Sequence, residues 1–204
     1  MTRDWKYTAP PHRAGSDDME MLTVETVDNH IYFYADVNSD RSLALIQEVK
    51  YLDSSLRNEH TSRGLDNLHP LTPIWLHISS NGGDLFTGFS IADQLRMIKS
   101  PIYTIVEGVC ASAATLIAMV GTERYILPSS FMMVHQLSSM FWGTHDQFQD
   151  EQFLQEMLMT GLVAFYEEQT RLDEGQLRQM LSRNTWMNAE KCVATGFVNK
   201  ILTP

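Results

Sequence analysis

Two short apolar runs, PIWLHIS from Pro73 to Ser79 and PIYTIVEG from Pro101 to Gly108, constrain the fold more than any other feature of this chain. Nearly continuous apolar runs of this length are typical of strands buried in a parallel sheet. Each run is followed by a segment with apolar residues at helical spacing, so strand and helix alternate along the sequence. This alternation predicts an α/β fold with a parallel or mixed sheet that helices cover on both faces.

The segments before these runs extend the same pattern. Residues 31–37, IYFYADV, predict a strand, and Ser39 and Asp40 after it are candidate helix caps. The helix that follows is predicted to bury one apolar face, formed by Leu45, Val49, Leu52 and Leu56. Residues 58–69 are predicted to form a polar loop, to which we assign no role.

The second half of the chain predicts the rest of the fold. We expect strands over 124–127 and 131–137, a long helix over 144–170, a short helix from Asp173, another between Asn188 and Gly196, and a last strand over 197–202. Thr144 and Gln147 have the spacing of a capping box, which marks the start of the long helix.

Composition indicates one globular domain without affinity for polyanions. Residues 1–20 of the 204 are polar, contain prolines and glycine, and are predicted to form a flexible arm. Residues 21–204 are predicted to form a single domain, because 44% hydrophobic and 20% charged residues are typical of globular proteins. The net charge of −10 disfavours nucleic-acid and acidic-membrane partners, since binding to them requires a basic excess.

The N-terminus and the cysteines both indicate an intracellular protein. The first residues contain no apolar segment typical of a secretory signal, and no apolar stretch has the length of a membrane span, so we expect a cytoplasmic location. Cys110 and Cys192 lie far apart among apolar neighbours and are predicted to be buried, reduced thiols. The histidines follow no zinc motif, and we expect no metal or organic cofactor.

Three places in the pattern are candidates for chemistry. Gly82 and Gly83 follow a strand, where glycine permits positive φ and exposes an N–H to a ligand, although a tight turn is the alternative. Ser112 stands at the predicted start of an apolar helix, as a nucleophile or as an ordinary helix cap. His135 stands near the end of a predicted strand, as a catalytic base or as a core residue.

Four segments in order resemble the ClpP family of self-compartmentalised serine peptidases, which belongs to the wider ClpP/crotonase fold. They are ISSNGGDLFTGFSIADQL, TIVEGVCASAATLIA, RYILPSSFMMVHQ and NAEKCVATGFVNKIL, and the resemblance extends from about Ile31 to Leu202. It implies a ClpP/crotonase-like fold of repeated ββα units with a protruding handle helix, which assembles into stacked rings.

The resemblance also implies roles for individual residues. Ser112 corresponds to the nucleophile and His135 to its general base, and Asn184 stands at the position of the third triad residue. The backbone N–H groups of Gly83 and Ala113 fall where the family forms its oxyanion hole. A substrate peptide is expected to add as a strand between two segments, and the residues concerned are Asp84, Leu85, Leu137, Ser138 and Ser139.

The site departs from the family pattern. Ser80-Asn81-Gly82-Gly83 replaces the usual Ser-Pro-Gly-Gly, and Ala113 stands where methionine is common. Asn184 replaces aspartate, and an amide orients an imidazole but lacks the charge that stabilises imidazolium.

Three functions follow from these residues. The expected one is a serine endopeptidase that cleaves peptides and unfolded proteins inside a ring-shaped chamber. The first alternative is a catalytically weak structural subunit of a mixed ring. The second, an acyl-CoA enzyme of the crotonase type, is disfavoured because the Ser/His pair stands at peptidase positions.

The long helix carries more apolar residues than one core usually requires from one helix: Phe148, Phe153, Leu154, Met157, Leu158, Leu162 and Phe165. The corresponding helix in the family joins two rings, so the resemblance implies a homo-oligomer of stacked heptameric rings, with Leu158 and Gly161 at the contact. An AAA+ unfoldase of the ClpX, ClpA or ClpC type is the expected partner.

Overall fold

A computed structural model describes residues 24–65 and 69–203, so the arm predicted over residues 1–20 lies outside the described residues. Helices and strands alternate through the described part. The strands are β1 (Val24–Val27), β2 (His30–Phe33), β3 (Ile74–Ser80), β4 (Ile102–Ala111), β5 (Glu123–Ile126), β6 (Phe131–Val134), β7 (Thr185–Asn188) and β8 (Lys200–Ile201). The helices are α1 (Ser39–Ser62), α2 (Leu85–Arg96), α3 (Ala114–Met119), α4 (His145–Gln169), α5 (Glu174–Leu181) and α6 (Ala189–Thr195).

The strands form one mixed sheet, as predicted. Its main order is β1-β2-β3-β4-β5-β8, in which β1 and β2 are antiparallel and the other neighbours are parallel. Strand β4 is long enough to pair twice, with β5 through residues 103–106 and with β6 through residues 109–111. Strand β7 then pairs antiparallel with β6. The sheet therefore divides halfway along β4.

The division of the sheet occurs at Gly108, which has a positive φ of 71° and donates its N–H to Ser130 Oγ at 2.7 Å. Glycine adopts this conformation without the strain that a Cβ would cause. Beyond it β4 runs beside β6, and the two strands lead directly into Ser112 and His135. The bend thus brings both residues to the same edge of the sheet.

One face of the sheet packs against helices and the other is partly exposed. Strand β3 shows the difference, because Ile74, Leu76 and Ile78 are fully buried, whereas on its other face Trp75 is only half-buried and His77 is 8% exposed. Trp75 packs against aromatic side chains on the neighbouring strands, edge-on against Tyr103 of β4 and tilted against Tyr125 of β5. The expectation that both faces are covered therefore fails over these strands in the described residues, because amphipathic aromatic side chains tolerate water at one end.

Most predicted helix boundaries are confirmed. Helix α4 has the capping box of Thr144 and Gln147, α5 is capped by Asp173, and α6 lies between Asn188 and the left-handed Gly196. Two expectations about α1 are wrong. The helix continues to Ser62, so the first five residues of the predicted polar loop are helical.

The N-cap of α1 is Asn38, not Ser39 or Asp40. The Asn38 side chain accepts a hydrogen bond from the N–H of Arg41, which satisfies one free helix donor. Asp40 lies in the first turn, where its negative charge interacts favourably with the helix dipole.

The two cysteines are free and buried, as predicted. Burial raises the pKa of the Cys110 thiol and raises that of Cys192 to about 12. Because the thiolate is the reactive form, neither sulfur is suited to nucleophilic chemistry. No helix within the described ranges is both long and apolar enough to cross a membrane.

Candidate active site

Ser112 lies in the turn between β4 and α3 in a strained conformation. Its φ is +54°, which residues with a Cβ rarely adopt and which tends to occur at functional sites. Its N–H donates to Met133 O at 2.8 Å and so fixes the turn against β6. The N-cap of α3 is Ala113, so Ser112 is not the helix cap that the sequence left as the alternative.

His135 follows β6 directly and faces this serine. Its Nε2 lies 2.8 Å from Ser112 Oγ, a normal hydrogen-bond length. The ring is partly exposed, so His135 is not a core residue. Two neighbouring strands thus hold a hydroxyl and an imidazole in contact.

Gly82 and Gly83 pack closely against the serine turn and Val37. A Cβ on Gly82 would lie 2.5 Å from Ala111 O and 2.7 Å from Ser112 Cβ, and one on Gly83 would overlap Val37 O. Both glycines also have positive φ, 95° and 150°. The pair is therefore required by close approach as well as by backbone conformation.

Two backbone donors beside the serine remain unused. Within the described residues, the N–H groups of Gly83 and Ala113 have no hydrogen-bond acceptor, whereas Asp84 N–H, next in sequence, donates to Val37 O at 2.9 Å. Both residues line the same pocket as Ser112 and His135. Two free amides beside a nucleophile are able to bind a developing oxyanion.

The pocket has a volume of about 370 Å³ and unites the residues that the sequence singled out. The predicted site residues that line it are Gly83, Asp84, Leu85, Ser112, Ala113, His135, Leu137, Ser138 and Ser139. The carboxylate of Asp84 caps α2 by accepting from Thr87 N–H and hydroxyl, at 2.8 and 2.7 Å. Its side chain is therefore already engaged, and so is its backbone, whose N–H donates to Val37 O and whose carbonyl accepts from Gly88 N–H at 3.0 Å.

Helix α4 forms a wall of the pocket that the sequence analysis missed. Leu154, Leu158, Leu162 and Tyr166 all line it from successive turns of the helix. Their spacing of four residues was the available signal, since such residues share one helix face. Leu158, which we assigned to contacts between rings, therefore faces the pocket instead.

Asn184 is not hydrogen-bonded to His135 within the described residues. The pairing of Val134 with Thr185 places Asn184 opposite His135 in register, just beyond the β6–β7 ladder. The Asn184 side chain is nevertheless exposed and does not line the pocket. The structure thus brings together Ser112 and His135, and places Asn184 nearby in register without a side-chain hydrogen bond to His135 among the described residues.

The comparisons with known proteins agree with this fold. The family model described as Clp protease matches residues 25–204. The ATP-dependent Clp protease proteolytic subunit 2 of Treponema denticola is 32% identical over 139 residues, covering 67% of this chain and 70% of the relative. Subunit 1 of Chlamydia caviae is 27% identical over 188 residues, which is 90% of this chain and 92% of the relative.

A solved structure supports the same assignment at the level of fold. It is an asparagine-to-aspartate variant of ClpP1 from Listeria monocytogenes, with a TM-score of 0.71 and 21% identity. The match covers 84% of this chain and 89% of that one. The fold and the pocket thus define an α/β protein of the ClpP type. The chain belongs to the Clp protease family, whose members are serine peptidases.

Proposed function

We propose that this protein is a serine endopeptidase of the ClpP type, with Ser112 as nucleophile and His135 as general base. The observation that supports this most directly is the 2.8 Å contact between Ser112 Oγ and His135 Nε2 in a pocket with two free amides. In the first step His135 takes the hydroxyl proton while Ser112 Oγ attacks the scissile carbonyl. The Gly83 and Ala113 N–H groups stabilise the resulting oxyanion, and His135 then protonates the leaving amine.

Substrate binding is assigned to the backbone on either side of the pocket. The chain runs without helix or strand from His135 to Thr144, and Gly83 pairs on one side only, with Val37. An extended peptide would lie between Gly83–Leu85 and Leu137–Ser139, held by main-chain hydrogen bonds that tolerate many sequences. Unfolded proteins and peptides are therefore the proposed substrates.

The names of the relatives support the proposed assembly and partner. Several relatives are called proteolytic subunits of an ATP-dependent protease. We accordingly assign this chain to a homo-oligomer of stacked heptameric rings with Asn184 in the usual aspartate position. An AAA+ unfoldase of the ClpX, ClpA or ClpC type would deliver substrates to it.

A second candidate function is a structural subunit with little activity of its own. The observation in its favour is that Asn184 is exposed and not bonded to His135 among the described residues. Without a third group, nothing fixes the imidazole tautomer or stabilises the imidazolium. The test is therefore designed to separate these two functions.

The test is labelling with a fluorophosphonate, which reacts only with an activated serine. We expect mass spectrometry to find the adduct on Ser112, and Ser112→Ala to abolish both labelling and hydrolysis of a fluorogenic peptide. Ser90→Ala, at an exposed position on α2, is the control and should label at the rate of the unmodified protein. An assembled protein that does not label would support the structural function, and turnover by Ser112→Ala would place the site elsewhere.

A further inference from the structure

A chain of three oxygen atoms connects α4 to the backbone of the proposed nucleophile. Tyr166 Oη lies 2.7 Å from Thr115 Oγ1, and Thr115 Oγ1 donates to the carbonyl oxygen of Ser112 at 2.6 Å. Thr115 has one hydroxyl proton, which this second bond uses. Tyr166 must therefore be the donor in the first bond, so the chain runs in one direction toward Ser112.

Both side chains in this chain are buried, Thr115 at 0% and Tyr166 at 2% exposure. Burial raises the pKa of the Tyr166 phenol, so it keeps the proton that it donates. In the low-dielectric interior two consecutive hydrogen bonds polarise each other and become stronger. The Ser112 carbonyl is thus held by a buried hydrogen bond from the Thr115 hydroxyl, in addition to the Thr115 N–H at 3.0 Å.

The Ser112 carbonyl belongs to the same planar peptide unit as the Ala113 N–H. A hydrogen bond that fixes the carbonyl on one side of this unit therefore fixes the direction of the N–H on the other. Accepting hydrogen bonds at the carbonyl also polarises the amide and strengthens its N–H as a donor. The Ala113 N–H has no acceptor among the described residues and lines the pocket.

We propose that Thr115 and Tyr166 are positioning residues that aim and polarise the Ala113 N–H for binding the oxyanion. The proposal rests on the function proposed above, in which this amide stabilises the transition state. The same contacts hold Ser112 at its φ of +54°, because Met133 O anchors the preceding peptide unit and Thr115 the following one. Thr115 does not line the pocket, Tyr166 lines it at 2% exposure, and in this role both act through the backbone of the nucleophile turn.

The test uses variants that remove a hydroxyl but keep the packing. Thr115→Val should lower kcat for a fluorogenic peptide by about tenfold, which corresponds to about 1.4 kcal/mol, with KM within about twofold of the unmodified protein. A lower kcat with a nearly unchanged KM is expected, because the oxyanion interaction forms only in the transition state. Tyr166→Phe should lower kcat less, since Thr115 keeps its bond to Ser112. Thr115→Ser keeps the hydroxyl and should restore kcat.

Thr104→Val is the matched control. Thr104 is also buried, and its hydroxyl also donates to a backbone carbonyl, Ala118 O of α3 at 2.7 Å, but outside the pocket. It should lower the melting temperature like Thr115→Val and leave kcat unchanged. Equal losses of kcat in both variants, or an unchanged kcat in Thr115→Val, would overturn the proposal.

A crystal structure of Thr115→Val separates this proposal from the proposed function. We expect Ser112 to leave the left-handed region or the Ala113 N–H to turn away from the pocket. An unchanged φ and amide direction together with an unchanged kcat would refute the positioning role. Failure of the unmodified protein to label at Ser112 would refute the proposed function. The positioning of the Ala113 N–H would then be tested by the crystal structure of Thr115→Val alone.

Discussion

Asn184, the residue proposed to orient His135, carries no charge. Its backbone lies opposite His135 at the end of the β6–β7 pairing, while its exposed amide is free to rotate toward the ring or away from it. An amide that reaches the imidazole would fix a tautomer but would not stabilise the imidazolium that forms when Ser112 is deprotonated. The activity of the site is therefore expected to respond strongly to a charge at this position.

Asn184→Asp should raise kcat for peptide hydrolysis, because a carboxylate would stabilise the imidazolium. The opposite change in a chymotrypsin-type enzyme lowers kcat about 10⁴-fold, which is the upper bound for the gain. A tenfold gain requires only about 1.4 kcal/mol. Asn58→Asp, which adds the same charge at an exposed position on α1, is the control.

An unchanged or lower kcat in Asn184→Asp, with Ser112 still labelled, would contradict the assignment of Asn184. The orienting group would then be another one, such as Asp173 or a backbone carbonyl.

At the scale of elements, Arg124 joins the C-terminal ends of three helices. Its guanidinium donates to Met119 O at the end of α3, to Gln169 O and Oε1 at the end of α4, and to Gly196 O after α6. These carbonyls have no partner within their own helices, and a cation is favourable at helix C-termini. Burial lowers the pKa of Arg124, and the nearby negative charge of Glu123 opposes this shift.

Arg124→Met should destabilise the protein by about 3 kcal/mol, because it leaves several carbonyls without a donor. The melting temperature is expected to fall by roughly 6–12 °C for a chain of this size. Arg171→Met is the control, since the exposed Arg171 side chain makes a single long hydrogen bond among the described residues, of 3.4 Å to Val193 O. An equal fall of the melting temperature in both variants would show that the hydrogen bonds of Arg124 to the three helix ends do not stabilise the protein.

At the scale of the whole molecule, α4 has two apolar faces with different surroundings. One faces the pocket, and the other exposes Phe153 and Met157, which are four residues apart and each at least half accessible to water. Exposed apolar residues grouped in this way are typical of contacts between proteins. This second face, and not Leu158, is the part of the helix that fits the proposed contact between rings.

Phe153→Glu should therefore give smaller particles in light scattering than the unmodified protein. The charge would be buried without a partner in the contact between copies, which is strongly unfavourable. Gln152→Glu adds the same charge at the neighbouring exposed position without removing an apolar side chain, and should leave particle size unchanged. Large particles from a folded Phe153→Glu variant would contradict the handle assignment.

The sequence by itself predicted the order of most elements and the candidate site residues that line one pocket. Apolar runs, the capping-box spacing at Thr144, and Gly196 predicted most elements, because these signals depend on neighbouring residues in the chain. The resemblance to the ClpP family singled out Gly83, Ser112, Ala113 and His135, which all line one pocket. The extension of α1 to Ser62 was missed, because its last turns are polar and carry no periodic signal.

Only the tertiary structure decided which residues meet. Because the sheet divides at β4, Ser112 contacts His135, which is 23 residues away in the sequence. The packing of α4 likewise brings Tyr166 into contact with Thr115, which is 51 residues away. It also decided which face of α4 lines the pocket and which is exposed, since both are apolar and periodic in the sequence. Spacing along a chain reports which residues share a face, whereas the partner of that face depends on how distant elements pack.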